Sequence, residues 1–299
     1  MKNDGTFGRW IAGARPRTLP AAIVPVLVGT ACAVRDNGEW NHGIIVWRAI
    51  AALIVSLAIQ VGTNYANDYS DGVRGTDAVR VGPVRLVATG LASASAVKRA
   101  AFASFAVAAI AGLALAAVAG WWLIAVGAAA FLAGWFYTGG SRPYGYAGFG
   151  EAFVFVFFGL VATVGTTYVQ LEKITGLSIA AAVPVGLIAT ALLVTNNLRD
   201  IPTDRAAGKR TLAVRIGDRA TRLVYVVIVA AVFAMVVSIA AVARPWSAIA
   251  LIGAAVAIAP VRAVLSGASG RALIAVLGAT GRTQLVTGAL LAVGIASSA

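Results

Sequence analysis

The stretch Asn64-Tyr-Ala-Asn-Asp-Tyr-Ser-Asp-Gly-Val-Arg-Gly-Thr-Asp77 follows the apolar run Ala49–Gly62 without a linker. It sets three carboxylates (Asp68, Asp71, Asp77) and two amides (Asn64, Asn67) at the end of a segment that reads as a membrane helix. A second stretch, Asn196-Asn-Leu-Arg-Asp-Ile-Pro-Thr-Asp204, does the same after the apolar run Ala180–Val194. The whole chain has 11 acidic residues, and these two stretches hold five of them. Ionisable groups near membrane depth are rare, and they mark functional sites by default. The remaining segments read as a frame for the two stretches.

Composition sets the class. The chain is 60% hydrophobic and 12% charged, with a mean hydropathy of +0.88; soluble domains are nearer half apolar and a quarter charged. An all-α polytopic membrane protein is expected, with no separate soluble domain and residues 1–299 as one transmembrane domain. The net charge is +13, but the basic residues lie between hydrophobic runs. That pattern fits membrane topology and an anionic ligand rather than nucleic acid. One cysteine (Cys32) and one histidine (His42) exclude an internal disulfide and argue against zinc or Cys/His catalysis. No cleavable leader is read in the first 18 residues.

Nine spans are predicted, at about 18–34, 43–63, 97–119, 121–138, 151–170, 178–198, 222–243, 246–264 and 283–297. With the N-terminus in the cytoplasm, 20 of the 24 basic residues fall on the inner side; Arg35, Lys173 and Arg244 fall outside and Arg48 within the second span. This asymmetry follows the positive-inside rule. Four spans separate the two acidic stretches, so both are expected at the cytoplasmic face. The offset from Asn64 to Asn196, and from Asp68 to Asp200, is 132 residues, which hints at a duplicated helical unit.

On a helix, Asn64, Asp68 and Asp71 share a face, and so do Asn67 with Asp71 and Asn196 with Asp200. Gly72 and Gly75 permit a break before Asp77, and Pro202 is expected to disturb the helix before Asp204. Clustered carboxylates need cations, and oxygen donors without nitrogen or sulfur favour Mg²⁺. Arg80, Arg85, Lys209 and Arg210 follow the acids closely. Acids for a metal beside bases for phosphate oxygens are what Mg²⁺-diphosphate recognition requires. A solvated acidic helix end with salt bridges to Arg74, Arg199 and Arg205 is the plainer alternative. Two equivalent stretches in an acid-poor chain weigh against it.

These residues resemble a family. An Asn-x-x-x-Asp motif with a further Asp, repeated after four helices, is similar to the UbiA superfamily of intramembrane prenyltransferases. The first motif corresponds to Asn67, Asp71 and Asp77, the second to Asn196, Asp200 and Asp204. The common pattern has three residues between the two acids of the first motif; here five separate Asp71 from Asp77. That spacing, Gly82-Pro-Val-Arg-Leu-Val (82–87), Gly90, Ala14-Arg-Pro-Arg-Thr-Leu-Pro20, Tyr137-Thr-Gly-Gly (137–140) and Tyr144–Gly159 resemble the branch that prenylates 1,4-dihydroxy-2-naphthoate.

The resemblance implies helices ringed around a cavity in a bacterial cell membrane, with the site toward the cytoplasm. It implies Mg²⁺ held by Asn67, Asp68, Asp71, Asp77, Asn196, Asp200 and Asp204, the ligating member among Asp68, Asp71 and Asp77 being left open. Arg80, Arg85, Lys209 and Arg210 are expected on the diphosphate, and Asn64, Tyr65, Arg142 and Tyr144 near the acceptor. The implied reaction joins a polyprenyl diphosphate to dihydroxynaphthoate, with loss of CO₂ and diphosphate, to give demethylmenaquinone. Other acceptors (4-hydroxybenzoate, a chlorin, a phosphoribosyl compound) and a transporter or channel are the competing readings. Glu151 is expected to cap a helix N-terminus, and Phe153, Phe155, Phe157 and Phe158 to line a prenyl tunnel or face lipid.

Overall fold

Glycine and capping residues decide where the helices stop, and apolar length decides which of them can cross a bilayer. The computed structural model describes residues 6–34, 44–76, 82 and 84–298. Their helices are α1 (Thr6–Ala14), α2 (Pro20–Ala31), α3 (Val46–Arg74), α4 (Ala94–Ala119), α5 (Leu123–Phe136), α6 (Gly150–Leu171), α7 (Gly176–Ala206), α8 (Leu212–Val242), α9 (Pro245–Leu265) and α10 (Ala272–Ser297). Seven of these, α3, α4 and α6–α10, are long and apolar enough to cross a membrane, while α2 and α5 are shorter apolar helices. The chain is a multi-span, all-helical membrane protein.

The long helices outrun the predicted spans where their polar residues face inward. α3 carries the whole Asn64–Arg74 stretch in helical form and stops at Gly75, whose φ of 72° suits a residue without a side chain. Gly72, expected as a break, is inside the helix. α7 opens with a capping box between Thr175 and Ser178 and runs through Pro202 to Ala206. The disturbance expected before Asp204 does not interrupt the helix: Pro202 forgoes one helical hydrogen bond, and the turn continues around it. α8 starts at Leu212 behind the Thr211 cap and bends at Gly217, where φ is 81°. α10 begins eleven residues before the predicted span: Leu273, Val276, Leu277 and Thr280, upstream of Arg282, are helical and buried against its neighbours. Arg222, at the start of a predicted span, and Arg282, just before another, lie within α8 and α10. Arg222 pairs with Asp218 at 2.6 Å and donates to the Val264 carbonyl at 2.7 Å.

Neighbouring helices close a ring. α3 packs on α4, α5 leans on both, α6 and α7 lie side by side, α7 packs on α8, and α10 closes the circuit against α2. α7 is the most enclosed of the long helices. Within α6 the segment Phe155–Val161 is a π-helix, and its back is seated on α7 by two glycines. A Cβ on Gly159 would come within 2.5 Å of the Gly186 Cα. Gly159→Val should therefore destabilise the protein by about 1–3 kcal/mol through overpacking, measured as a lower thermal midpoint in detergent. An unchanged midpoint would show that α6 and α7 do not meet there.

Candidate active site

The ring encloses a cavity of about 530 Å³. One end is polar. From α3 it receives Gln60, Asn64, Asn67 and Asp71, from α7 Asn196, Asn197, Asp200 and Asp204, and from the flanking loops Arg15, Arg85 and Lys209. The two acidic stretches, distant in sequence, thus line one site. Opposite, the wall is apolar and built from α3, α4, α5 and α6.

The π-turn of α6 explains how one helix lines so much of that wall. Phe153, Phe157, Val161, Gly165 and Val169 all face the cavity, each four residues after the last, with Val154, Phe158, Ala162 and Thr166 beside them. In a regular α-helix a four-residue column drifts by about 160° over this length. The wider turn of the π segment takes up most of the drift. Bulky rings therefore stand near the polar end and small residues further along. Phe155, by contrast, packs on Gly186. Tyr144 stacks on Phe153 with centroids 4.0 Å apart, and Phe153 on Phe157 at 6.0 Å.

Asp71 is the hub of the polar end. It is buried, accepts a hydrogen bond from the Tyr146 hydroxyl and from Lys209 Nζ at 3.2 Å, and lies 3.6 Å from the Arg85 guanidinium. Lys209 also reaches Asp204 at 3.9 Å and lies over the Tyr146 ring at 4.5 Å. Burial alone would push the Lys209 ammonium toward losing its proton; Asp71, Tyr146 and Asp204 outweigh it, and its pKa is raised. The Tyr146 phenol is pushed up by burial and by the Asp71 charge, so it stays a donor. Asp200 is gripped by Arg199 in a two-point contact of 2.7 and 2.8 Å. The Asn67 Oδ1 accepts from Thr138 Oγ1 at 2.8 Å, which leaves its second lone pair. Asn64 holds the end of α1, donating to the Ala14 carbonyl at 2.9 Å and to Thr18 at 3.2 Å.

Several expected residues are elsewhere. The Asp68 carboxylate is fully buried behind the cavity wall and accepts hydrogen bonds from the Leu86 and Val87 amides at 2.8 and 3.1 Å. Tyr65 is turned toward α1, where its hydroxyl donates to the Trp10 carbonyl at 2.8 Å. Arg142 and Arg210 point outward and are exposed, outside the cavity lining. At residue 210 it is the backbone amide that is engaged, donating to the Tyr146 carbonyl at 2.8 Å. Tyr144 does line the cavity, with its hydroxyl donated to the Ala133 carbonyl at 2.8 Å. Glu151, in the first turn of α6, accepts from Asn197 at 2.8 Å. Asp77 and Arg80 lie outside the described residues.

Sequence reasoning missed Arg15, Tyr137, Tyr146 and Asn197 as lining residues. The signal for Arg15 was its place before Pro16: the turn that follows α1 holds it at φ 55°, a conformation costly for a residue with a side chain and often found at functional sites.

The donor set can be tested against a divalent ion. Among the described residues no three His, Cys, Asp or Glu side chains form a cage. Mg²⁺ needs none, since it keeps waters and binds through one or two carboxylates plus substrate phosphates. Asp71, Asp200 and Asp204, with the amide oxygens of Asn67 and Asn196, present hard oxygen donors only. The basic groups already resting on Asp71 and Asp200 show that these carboxylates stabilise nearby positive charge. The residues fit Mg²⁺.

A ring of membrane helices around a cavity that is charged at one end and apolar at the other defines an intramembrane enzyme site for an amphipathic anion. Residues 22–277 match the UbiA prenyltransferase family, and the chain belongs to it. It is 50% identical over 283 residues to the 1,4-dihydroxy-2-naphthoate octaprenyltransferase of Mycobacterium tuberculosis, covering 94% of each chain. It is 37% identical to the Escherichia coli protein of that name, over 70% of this chain and 68% of the other. Among solved structures, a UbiA homologue from Archaeoglobus fulgidus bound to GPP and Mg²⁺ shares the fold, with a TM-score of 0.67 at 14% identity over 95% of this chain and 99% of the other.

Proposed function

We propose that this protein transfers a polyprenyl group from its diphosphate to 1,4-dihydroxy-2-naphthoate, in a bacterial cell membrane with the polar end of the cavity toward the cytoplasm. The observation that carries the reading is the meeting of both acidic stretches, Arg85 and Lys209 at one end of a cavity whose remaining wall is apolar. A molecule with a charged head and an isoprenoid tail matches both ends at once. The naphthoate acceptor is supported by the 50% identical relative of that name.

In this mechanism Lys209, Arg85 and Arg15 receive the diphosphate oxygens, and the aromatic and aliphatic rows of α6 hold the prenyl chain. Asn67, Asp71, Asn196, Asp200 and Asp204 would hold Mg²⁺. When bound, the ion neutralises charge that develops on the leaving diphosphate. The allylic C–O bond breaks with its electron pair going to diphosphate. The basic side chains stabilise that charge in a site of low dielectric. The ring carbon that bears the carboxylate attacks the allylic carbon. The bond to the carboxylate then breaks, and its electrons restore the aromatic ring as CO₂ leaves. The product is the reduced form of demethylmenaquinone. The apolar wall keeps water from the cation.

Purified protein given geranyl diphosphate and dihydroxynaphthoate should release diphosphate only when Mg²⁺ is present. Chelation should abolish release, and added Mg²⁺ should restore it. Full activity in excess chelator would refute the metal assignment.

A further inference from the structure

Asp68 belongs to the first acidic stretch and yet has no place on the cavity wall. Its burial is complete, and both of its oxygens are used: Oδ2 accepts from the Leu86 amide at 2.8 Å and Oδ1 from the Val87 amide at 3.1 Å. The residue before this pair is Arg85, which enters the cavity and stands 3.6 Å from Asp71. The turn that carries Arg85 is closed by its own bonds, from the Thr89 amide to the Arg85 carbonyl and from the Ala92 amide to the Leu86 carbonyl, each 3.0 Å. It is also pressed onto its surroundings. A Cβ on Gly72 would meet Val87 at 2.5 Å, and one on Gly13 of α1 would meet Leu86 at 2.7 Å.

A carboxylate on two successive amides is a charge-assisted clip, stronger than neutral hydrogen bonds. Without it, a long arginine would have to be ordered at an entropic cost on every encounter with ligand. We propose that Asp68 is a positioning residue for diphosphate binding: it touches neither metal nor substrate, and it fixes the turn so that Arg85 stands in the cavity beside Asp71. The inference rests on the prenyltransferase reading above and gives the two acids of α3 different tasks.

The test compares Asp68→Asn, Arg85→Gln and the double variant. Asparagine keeps the size and one acceptor oxygen but turns an NH₂ group toward one of the two amides. The expected result for Asp68→Asn is a roughly tenfold rise in donor KM with an unchanged Mg²⁺ half-saturation. The double variant should be no worse than Arg85→Gln alone, because both changes act through one group. Gly72→Ala, which displaces Val87 and leaves the carboxylate intact, should raise donor KM in the same way. Calorimetric binding of a thiolodiphosphate analogue of geranyl diphosphate reads the same loss without any acceptor, so a wrong acceptor assignment leaves this test intact. Additive losses in the double variant, wild-type donor affinity in Asp68→Asn, or a shift confined to Mg²⁺ half-saturation would overturn the proposal.

Discussion

Asp71→Asn should lower prenyl transfer by about two to three orders of magnitude, the usual scale for removing a group that organises charge in a buried site. The size of the effect follows from what meets at this carboxylate. Tyr146, Lys209 and Arg85 all converge on it, from three separate loops. Asparagine keeps the shape and removes the charge, so Lys209 and Arg85 both lose the Asp71 counter-charge. The amide also binds a hard cation less strongly than the carboxylate. Initial rates of diphosphate release would be compared at saturating Mg²⁺, with a thermal midpoint to show that the helices still pack. A variant that keeps more than a tenth of the wild-type rate would remove Asp71 from the centre of the site.

Lys209→Met should come close to the same loss, with about a hundredfold fall in kcat/KM for the donor. Lys209 follows α7, is buried, and joins the two acidic helices by reaching Asp71 at 3.2 Å and Asp204 at 3.9 Å. Methionine preserves the apolar stem and deletes the ammonium. Asp71 and Asp204 then lose the ammonium that joins them. The unliganded protein loses an ion pair, and the diphosphate loses a direct partner. Lys209→Arg should recover part of the activity, because charge returns with a different shape. Equal losses for methionine and arginine would show that the position tolerates only lysine's packing and not its charge. Neither variant should alter the apolar wall, so both should bind an uncharged polyprenol as the wild type does.

The acidic stretches were legible because polar groups next to apolar runs have few structural explanations. Span parity placed both stretches at one face, and the fold brings Asn67, Asp71, Asn196, Asp200 and Asp204 to one end of a single cavity. The division of labour inside the first stretch was not legible. Helical spacing puts Asp68 near the face of Asn64 and Asp71, but Asp68 is claimed by two backbone amides from a turn eighteen residues on, and no local pattern announces such a tertiary bond. Tyr65 is a related case: its interfacial position is visible in the sequence, its partner on α1 is not. Span limits failed where Arg282 interrupts the apolar pattern of α10, and where α7 continues through the polar residues after Leu198. The π-turn in α6 left only an indirect trace, the four-residue spacing of Phe153, Phe157, Val161 and Gly165.

The most direct test of the central claim uses dihydroxynaphthoate labelled in its carboxyl carbon and a polyprenyl diphosphate, with the purified protein in lipid nanodiscs and Mg²⁺. Labelled CO₂ should appear in a one-to-one ratio with prenylated product and with diphosphate, and 4-hydroxybenzoate in the acceptor's place should give neither. Prenyl transfer to 4-hydroxybenzoate alone, or a prenylated naphthoate that keeps its labelled carboxylate, would contradict the account.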